Sequence, residues 1–172
     1  MIQSDLTHKI NINPIIQELA VPAFKLAGKI KKFDKKLYDK YDVPARAIIQ
    51  EKLGKYVSDN PDIYKEDMLL NIPDFKYKFL ELQVCTAWLG DKYPYTKPYI
   101  YERKKNFSED TLYIIFSKNF DKGLLFSNSS IEKEPRRLKK HSRSFVYDIP
   151  WYRILQFNIA DLDLETILLY NC

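Results

Sequence analysis

Apolar and polar positions alternate most clearly between Lys76 and Cys85. Leu80, Leu82 and Val84 fall on one face, and Phe79, Glu81, Gln83 and Cys85 on the other, because strand side chains alternate with period two. Upstream, Glu66 to Asn71 reads as a second arm. Between the arms lies Ile72-Pro73-Asp74-Phe75, whose Pro and Asp preset the angles of a tight turn. A hairpin centred there pairs residues whose numbers sum to about 147 and sets Asp67 beside Glu81. A carboxylate from each arm, with Gln83 two residues on, makes a candidate seat for a divalent cation.

Elsewhere the period changes. Ile15 to Tyr38 carries an imperfect helical stripe, Ile15, Leu19, Phe24, Leu26, Ile30, Phe33 and Leu37, interrupted at Pro22. Met1 to Pro14 is polar and reads as an irregular arm. Asp42-Val43-Pro44 opens a second helix that Gly54 disturbs or ends. A loop is expected at Ser58 to Pro61 and a short strand at Ile63-Tyr64. Beyond the hairpin come a helical turn at Thr86 to Leu89 and an extended Tyr-Pro segment from Tyr93 to Tyr99. Thr111 to Phe116 reads as a buried strand, with Leu124 to Phe126 its partner across a turn. A strand to Tyr147, a turn at Asp148 to Pro150, a further apolar stretch and a short C-terminal helix or strand complete the chain. Helices first and strands after predict an α+β fold with a central mixed or antiparallel sheet. The expected division is residues 1–40 as arm and basic helix, and 41–172 as the α+β domain.

Composition narrows the classes. The 172 residues are 45% hydrophobic and 30% charged, with four Gly and 15% aromatics. Such a chain builds a core and is not a linker. Four scattered Gly form no phosphate loop or dinucleotide fingerprint. Two His and two Cys, widely spaced, give no zinc pattern and no disulfide framework. No stretch approaches the ~18 apolar residues of a membrane span, and no signal peptide is apparent, so an intracellular setting is expected, in cytoplasm or nucleus, or in a host cell for a viral chain.

Net charge is +5, and its distribution matters more than its total. Lys29, Lys32 and Lys36 line the first helix, and Arg136, Arg137, Lys139, Lys140 and Arg143 form a second cluster flanked by Tyr147, Trp151 and Tyr152. Both suit contact with nucleic-acid phosphates, and exposed aromatics add stacking. His141 reads as part of that surface. Solvated faces are the plainer reading of both clusters.

A helix bearing Glu51, a strand bearing Asp67 and a paired strand bearing Glu81-x-Gln83 resemble the PD-(D/E)XK nuclease superfamily. The match covers about Ala45 to Cys85, with Gln83 where Lys is usual. The literal Pro73-Asp74 sits at the turn tip, and Asp67 has the better geometry. The resemblance implies a restriction-endonuclease-like core and a Mg²⁺- or Mn²⁺-dependent nuclease. Glu51, Asp67 and Glu81 would hold the metal, and Asp67, Glu81 and Gln83 would act on the water. It also implies a nucleic-acid substrate, DNA before RNA, no membrane, and a homodimer as a common assembly. Lysine at the Gln83 position would orient water and offset charge; Lys97 or Lys104 could supply that charge instead. The alternative is a noncatalytic protein of the same fold that binds nucleic acid or serves an assembly.

Overall fold

The structure is a computed structural model that describes residues 33–139 and 141–170; the side chains of residues 141–143 fall outside that description. Lys29, Lys32, Lys140, most of the first predicted helix and the N-terminal arm therefore lie outside the described residues.

The described chain opens with α1 (Lys35–Leu37), capped by Asp34, whose carboxylate accepts from the N–H groups of Lys36 and Leu37. A π-helical segment, Tyr38–Asp42, follows without a break and leads into α2 (Val43–Leu53). Two separate helices were expected here, with the second starting at Asp42 to Pro44. They are one run, which also crosses residues 40 and 41. Pro44 has no N–H, so it leaves the ladder one donor short. Just before it, the Val43 N–H reaches back to the Tyr38 carbonyl, and the helix widens instead of ending. Gly54, at φ 53°, closes α2 in a backbone region that side chains resist. Ala45, Ile49 and Leu53, four residues apart, are buried, and α2 packs on the first and third strands.

Strands β1 (Val57–Asp59), β2 (Met68–Leu70) and β3 (Phe79–Cys85) form an antiparallel meander. The expected strand at Ile63-Tyr64 is a turn instead, held by the Lys65 N–H to the Asp62 carbonyl. Both side chains stay exposed, and the edge strand is β1, inside the segment read as a helix end and loop. The Ile72 to Phe75 turn forms as expected, with Asp74 at φ 56°.

From β3 the chain crosses over through β4 (Tyr99–Tyr101) and α3 (Glu102–Lys105) and returns as β5 (Thr111–Ser117), parallel to β3. β6 (Lys122–Ser127) and β9 (Leu155–Asn158) add antiparallel partners, giving the order β1-β2-β3-β5-β6-β9. All seven residues of β5 are buried, which explains its unbroken apolar run. Gly123 of β6 pairs with Phe157 of β9, and a Cβ there would fall 2.5 Å from the Phe157 ring, so the ring uses the space a side chain would take. A second, antiparallel sheet has the order β4-β8-β7, with β7 Arg136–Leu138 and β8 His141–Asp148. Finally α4 (Leu164–Leu169), capped by Asp163, buries Ile167. The fold is α+β with a mixed sheet. Among the described residues no helix is long and apolar enough to cross a membrane.

Candidate functional site

Four elements deliver charged side chains to one partly buried spot. The β2–β3 pairing sets Met68 against Leu80, and one step further places Asp67 opposite Glu81. The Asp67 N–H donates to Glu81 Oε2 at 3.1 Å, and the Leu82 N–H donates to Asp67 Oδ2 at 3.0 Å. Each carboxylate thus holds the other's strand. From α2, Arg46 donates to Asp67 Oδ1 and to the Asp67 carbonyl, both at 2.7 Å, and to Asp59 at 3.2 Å. From α3, Lys104 Nζ lies 2.5 Å from Glu81 Oε1 and donates to the Leu82 carbonyl at 2.7 Å. The Tyr113 hydroxyl holds α3 in place by donating to the Lys104 carbonyl at 2.7 Å, and it accepts from Asn128. Tyr113 is the β5 residue paired with Glu81.

The surroundings change the chemistry of these groups. Only 7% of the Glu81 side chain and 11% of that of Lys104 is exposed. Burial, the largest influence, raises the Glu81 carboxyl; Lys104 pulls it down and Asp67 pushes it up, the net result being a rise to about 7. Asp42, at the end of the π-helical segment, is raised by burial and then by Asp67, with Lys104, Arg46 and Arg103 opposing. Asp42 is thus the helix carboxylate that feels the site.

The sequence had named Glu51 for that role. Glu51 is exposed on α2, and among the described residues no three His, Cys, Asp or Glu side chains converge on a metal-sized site. In the sequence Asp42 marks a helix start, and its place four residues before Arg46 is the signal for a further role. Gln83 is turned to other use. Its Nε2 donates to the Tyr99 carbonyl at 3.2 Å, and its Oε1 is buried without a partner. The cation beside Glu81 is Lys104, whereas Lys97 pairs with Glu132 at 2.8 Å.

Of the basic residues, Lys36, Arg136, Arg137 and Lys139 are exposed. The Arg136 Nε bonds both Asp148 carboxylate oxygens at 2.9 and 2.8 Å, and Arg137 lies over the Phe145 ring. Arg143 belongs to β8, with its side chain outside the description. Asp74 is exposed at the turn tip.

A divalent cation would find two carboxylates and the Leu82 carbonyl here. That is within the one or two carboxylates plus waters that Mg²⁺ ordinarily takes. The Lys104 ammonium lies between Glu81 and that carbonyl, so a metal could enter only as Lys104 moved aside. Compared with known proteins, the chain matches no family model, no curated protein and no solved structure.

Proposed function

We propose that the chain is a metal-dependent phosphodiesterase acting on nucleic acid, with Asp67 and Glu81 as the metal's carboxylates. One observation carries the reading. Asp67 and Glu81 meet across the β2–β3 pairing with a lysine ammonium on Glu81. That is the residue set of a (D/E)-x-K site, with the lysine delivered from α3 instead of from the position of Gln83. A helix, an antiparallel meander and a crossover to a strand parallel with β3 also fit the core that the resemblance implies.

Bound Mg²⁺ or Mn²⁺ would supply a hydroxide near neutral pH and positive charge at the phosphate. The chain's own residues divide the remaining work. Glu81, whose carboxyl burial raises in the metal-free chain, would give up its proton to serve as a ligand, because a bound cation favours the carboxylate. Lys104 offsets negative charge that develops on the phosphate oxygens. Arg46 keeps Asp67 oriented through two bonds. Gln83 secures β4, whose backbone carries the chain into α3 and Lys104.

A second reading has its own support. All four carboxylate oxygens of Asp67 and Glu81 already accept bonds within the protein. In that reading Lys104 permanently takes the cation's place, and the chain is a noncatalytic nucleic-acid or assembly protein.

The test uses the full chain on DNA and RNA substrates with Mn²⁺, together with Asp67→Asn, Glu81→Gln and Lys104→Met. Cleavage by the wild type that all three variants lose supports the nuclease. Equal cleavage by wild type and variants would place any activity elsewhere. No cleavage, with Mn²⁺ titrating only into Lys104→Met, would favour the second reading.

A further inference from the structure

Beside the carboxylate site runs a file of aromatic rings. Centroids of Tyr101 and Tyr99 lie 5.9 Å apart, Tyr99 and Tyr95 5.6 Å, Tyr95 and Tyr93 5.8 Å, and Tyr93 and Trp151 5.8 Å. Residues paired across strands share a face. Tyr101 and Arg136 both pair with Val146, so Tyr99, Tyr101 and Arg136 lie on one side of the small sheet. Arg136 stands 5.5 Å over the Tyr99 ring, and Arg153 stands 5.4 Å over that of Tyr152.

The file is anchored at Tyr93, with exposed rings on either side of it. Tyr93 is 9% exposed, but Tyr95 is 43%, Trp151 40% and Tyr152 80% exposed. The Trp151 Nε1 donates to the Thr96 carbonyl at 2.7 Å, which holds that ring in place. Large rings left in water at fixed orientation, interleaved with guanidinium groups, suit a partner with flat π faces and negative charge. Two of the acids nearby are already paired, Asp148 with Arg136 and Glu132 with Lys97. The Tyr101 end abuts the candidate site. The Gln83 amide bonds the Tyr99 backbone, and Tyr101 leads directly into the helix of Lys104.

We propose that this face binds single-stranded nucleic acid, stacking unpaired bases on Tyr95, Trp151 and Tyr152 and holding phosphates with Arg136 and Arg153. Bases in a duplex are stacked on one another and present no free face, whereas an unpaired base offers one to any ring. The proposal rests on the nuclease reading only for what the strand is delivered to.

Binding is measured by fluorescence anisotropy in EDTA, where metal-dependent cleavage is silent. The probes are labelled oligothymidylate and oligouridylate of about 12 nucleotides, a length within the usual reach of one such surface, and a duplex of equal length. Both single strands, or one of them, should bind at least ~10-fold tighter than the duplex. Tyr152→Ala and Tyr95→Ala should each weaken that binding by roughly 5- to 100-fold, as loss of one stacking ring does. Tyr152 is so exposed that its loss leaves folding intact, which circular dichroism checks. Duplex binding as tight as single-strand binding overturns the proposal, as does no binding at low salt, or binding indifferent to both variants. Single-strand binding that survives in Asp67→Asn without any cleavage by the wild type overturns the nuclease reading alone. Cleavage confined to duplex, with no oligothymidylate or oligouridylate binding, overturns this proposal alone.

Discussion

Two regions of this molecule use charged and aromatic residues in opposite ways. Between α2, β2, β3 and α3, the side chains of Asp67, Glu81, Arg46 and Lys104 are 22% exposed or less, and every carboxylate oxygen is engaged. On the β4-β8-β7 sheet, Arg136 and Arg137 are exposed and lie over the rings of Tyr99 and Phe145. Away from water a charge is costly unless paired, and its proton affinity moves. In water the same charge is screened and contributes little to folding, but it stays free to meet a partner. The first region therefore suits chemistry and the second suits recognition.

The sharpest way to break this contrast is Lys104→Met. It leaves Glu81 buried without its cation, and about 3–5 kcal/mol of stability should be lost at pH 8, read by urea denaturation. The double change Lys104→Met with Glu81→Leu should recover most of that. A loss under about 1 kcal/mol in the single variant would mean that the pair is no more than a surface contact.

Next in size is a pH effect. In the folded chain the Glu81 carboxyl is pushed up to about 7 from an ordinary 4.5. Between these values the folded state holds a proton that the unfolded state has released. Stability therefore falls as pH rises from about 4.5 to 7, by up to ~3 kcal/mol from this group, and the loss is complete above that window. Comparison of wild type with Glu81→Gln isolates the effect of this carboxyl, because the amide does not titrate. Matching pH profiles would show Glu81 to be an ordinary carboxylate.

Tyr113→Phe should cost about 1–2 kcal/mol, since it strips a buried partner from both Lys104 and Asn128. Smallest of all, Arg136→Ala should change stability by less than about 1 kcal/mol. It should nonetheless weaken nucleic-acid binding and lower its salt slope by about one, as expected for a phosphate contact. A large stability loss there would erase the distinction between the two regions.

Much of the frame was legible because local physics wrote it. The Ile72 to Phe75 turn, the β3 alternation and the unbroken apolar run of β5 each have a period or a turn residue behind them. Asp67 beside Glu81 followed from turn position alone, since register in a hairpin is set by its turn. The misreadings share a cause. Ile63 and Tyr64 have strand propensity but sit in a tight turn outside the core, which propensity does not register. Val57 to Asp59 has the local pattern of a helix end and loop, yet it pairs with β2 as an edge strand. Pro44 normally marks a helix start, but the π-helical segment before it absorbs the missing donor. The candidate site was half legible for a related reason. Glu51 and Asp42 lie on one helical run, and only its rotation against the sheet decides which of them nears Asp67.

By itself, then, the sequence determined the hairpin and its carboxylate pair, the buried central strand and the basic, aromatic character of the region around Arg136. These depend on neighbours a few residues apart. The tertiary structure decided that Lys104, 23 residues beyond Glu81 in the chain, supplies the cation beside it, and that Gln83 spends its amide on β4. It also joined Trp151 to the file of tyrosines that begins at Tyr101. Those outcomes depend on how the crossover between β3 and β5 folds back, a long-range closure that no local periodicity encodes.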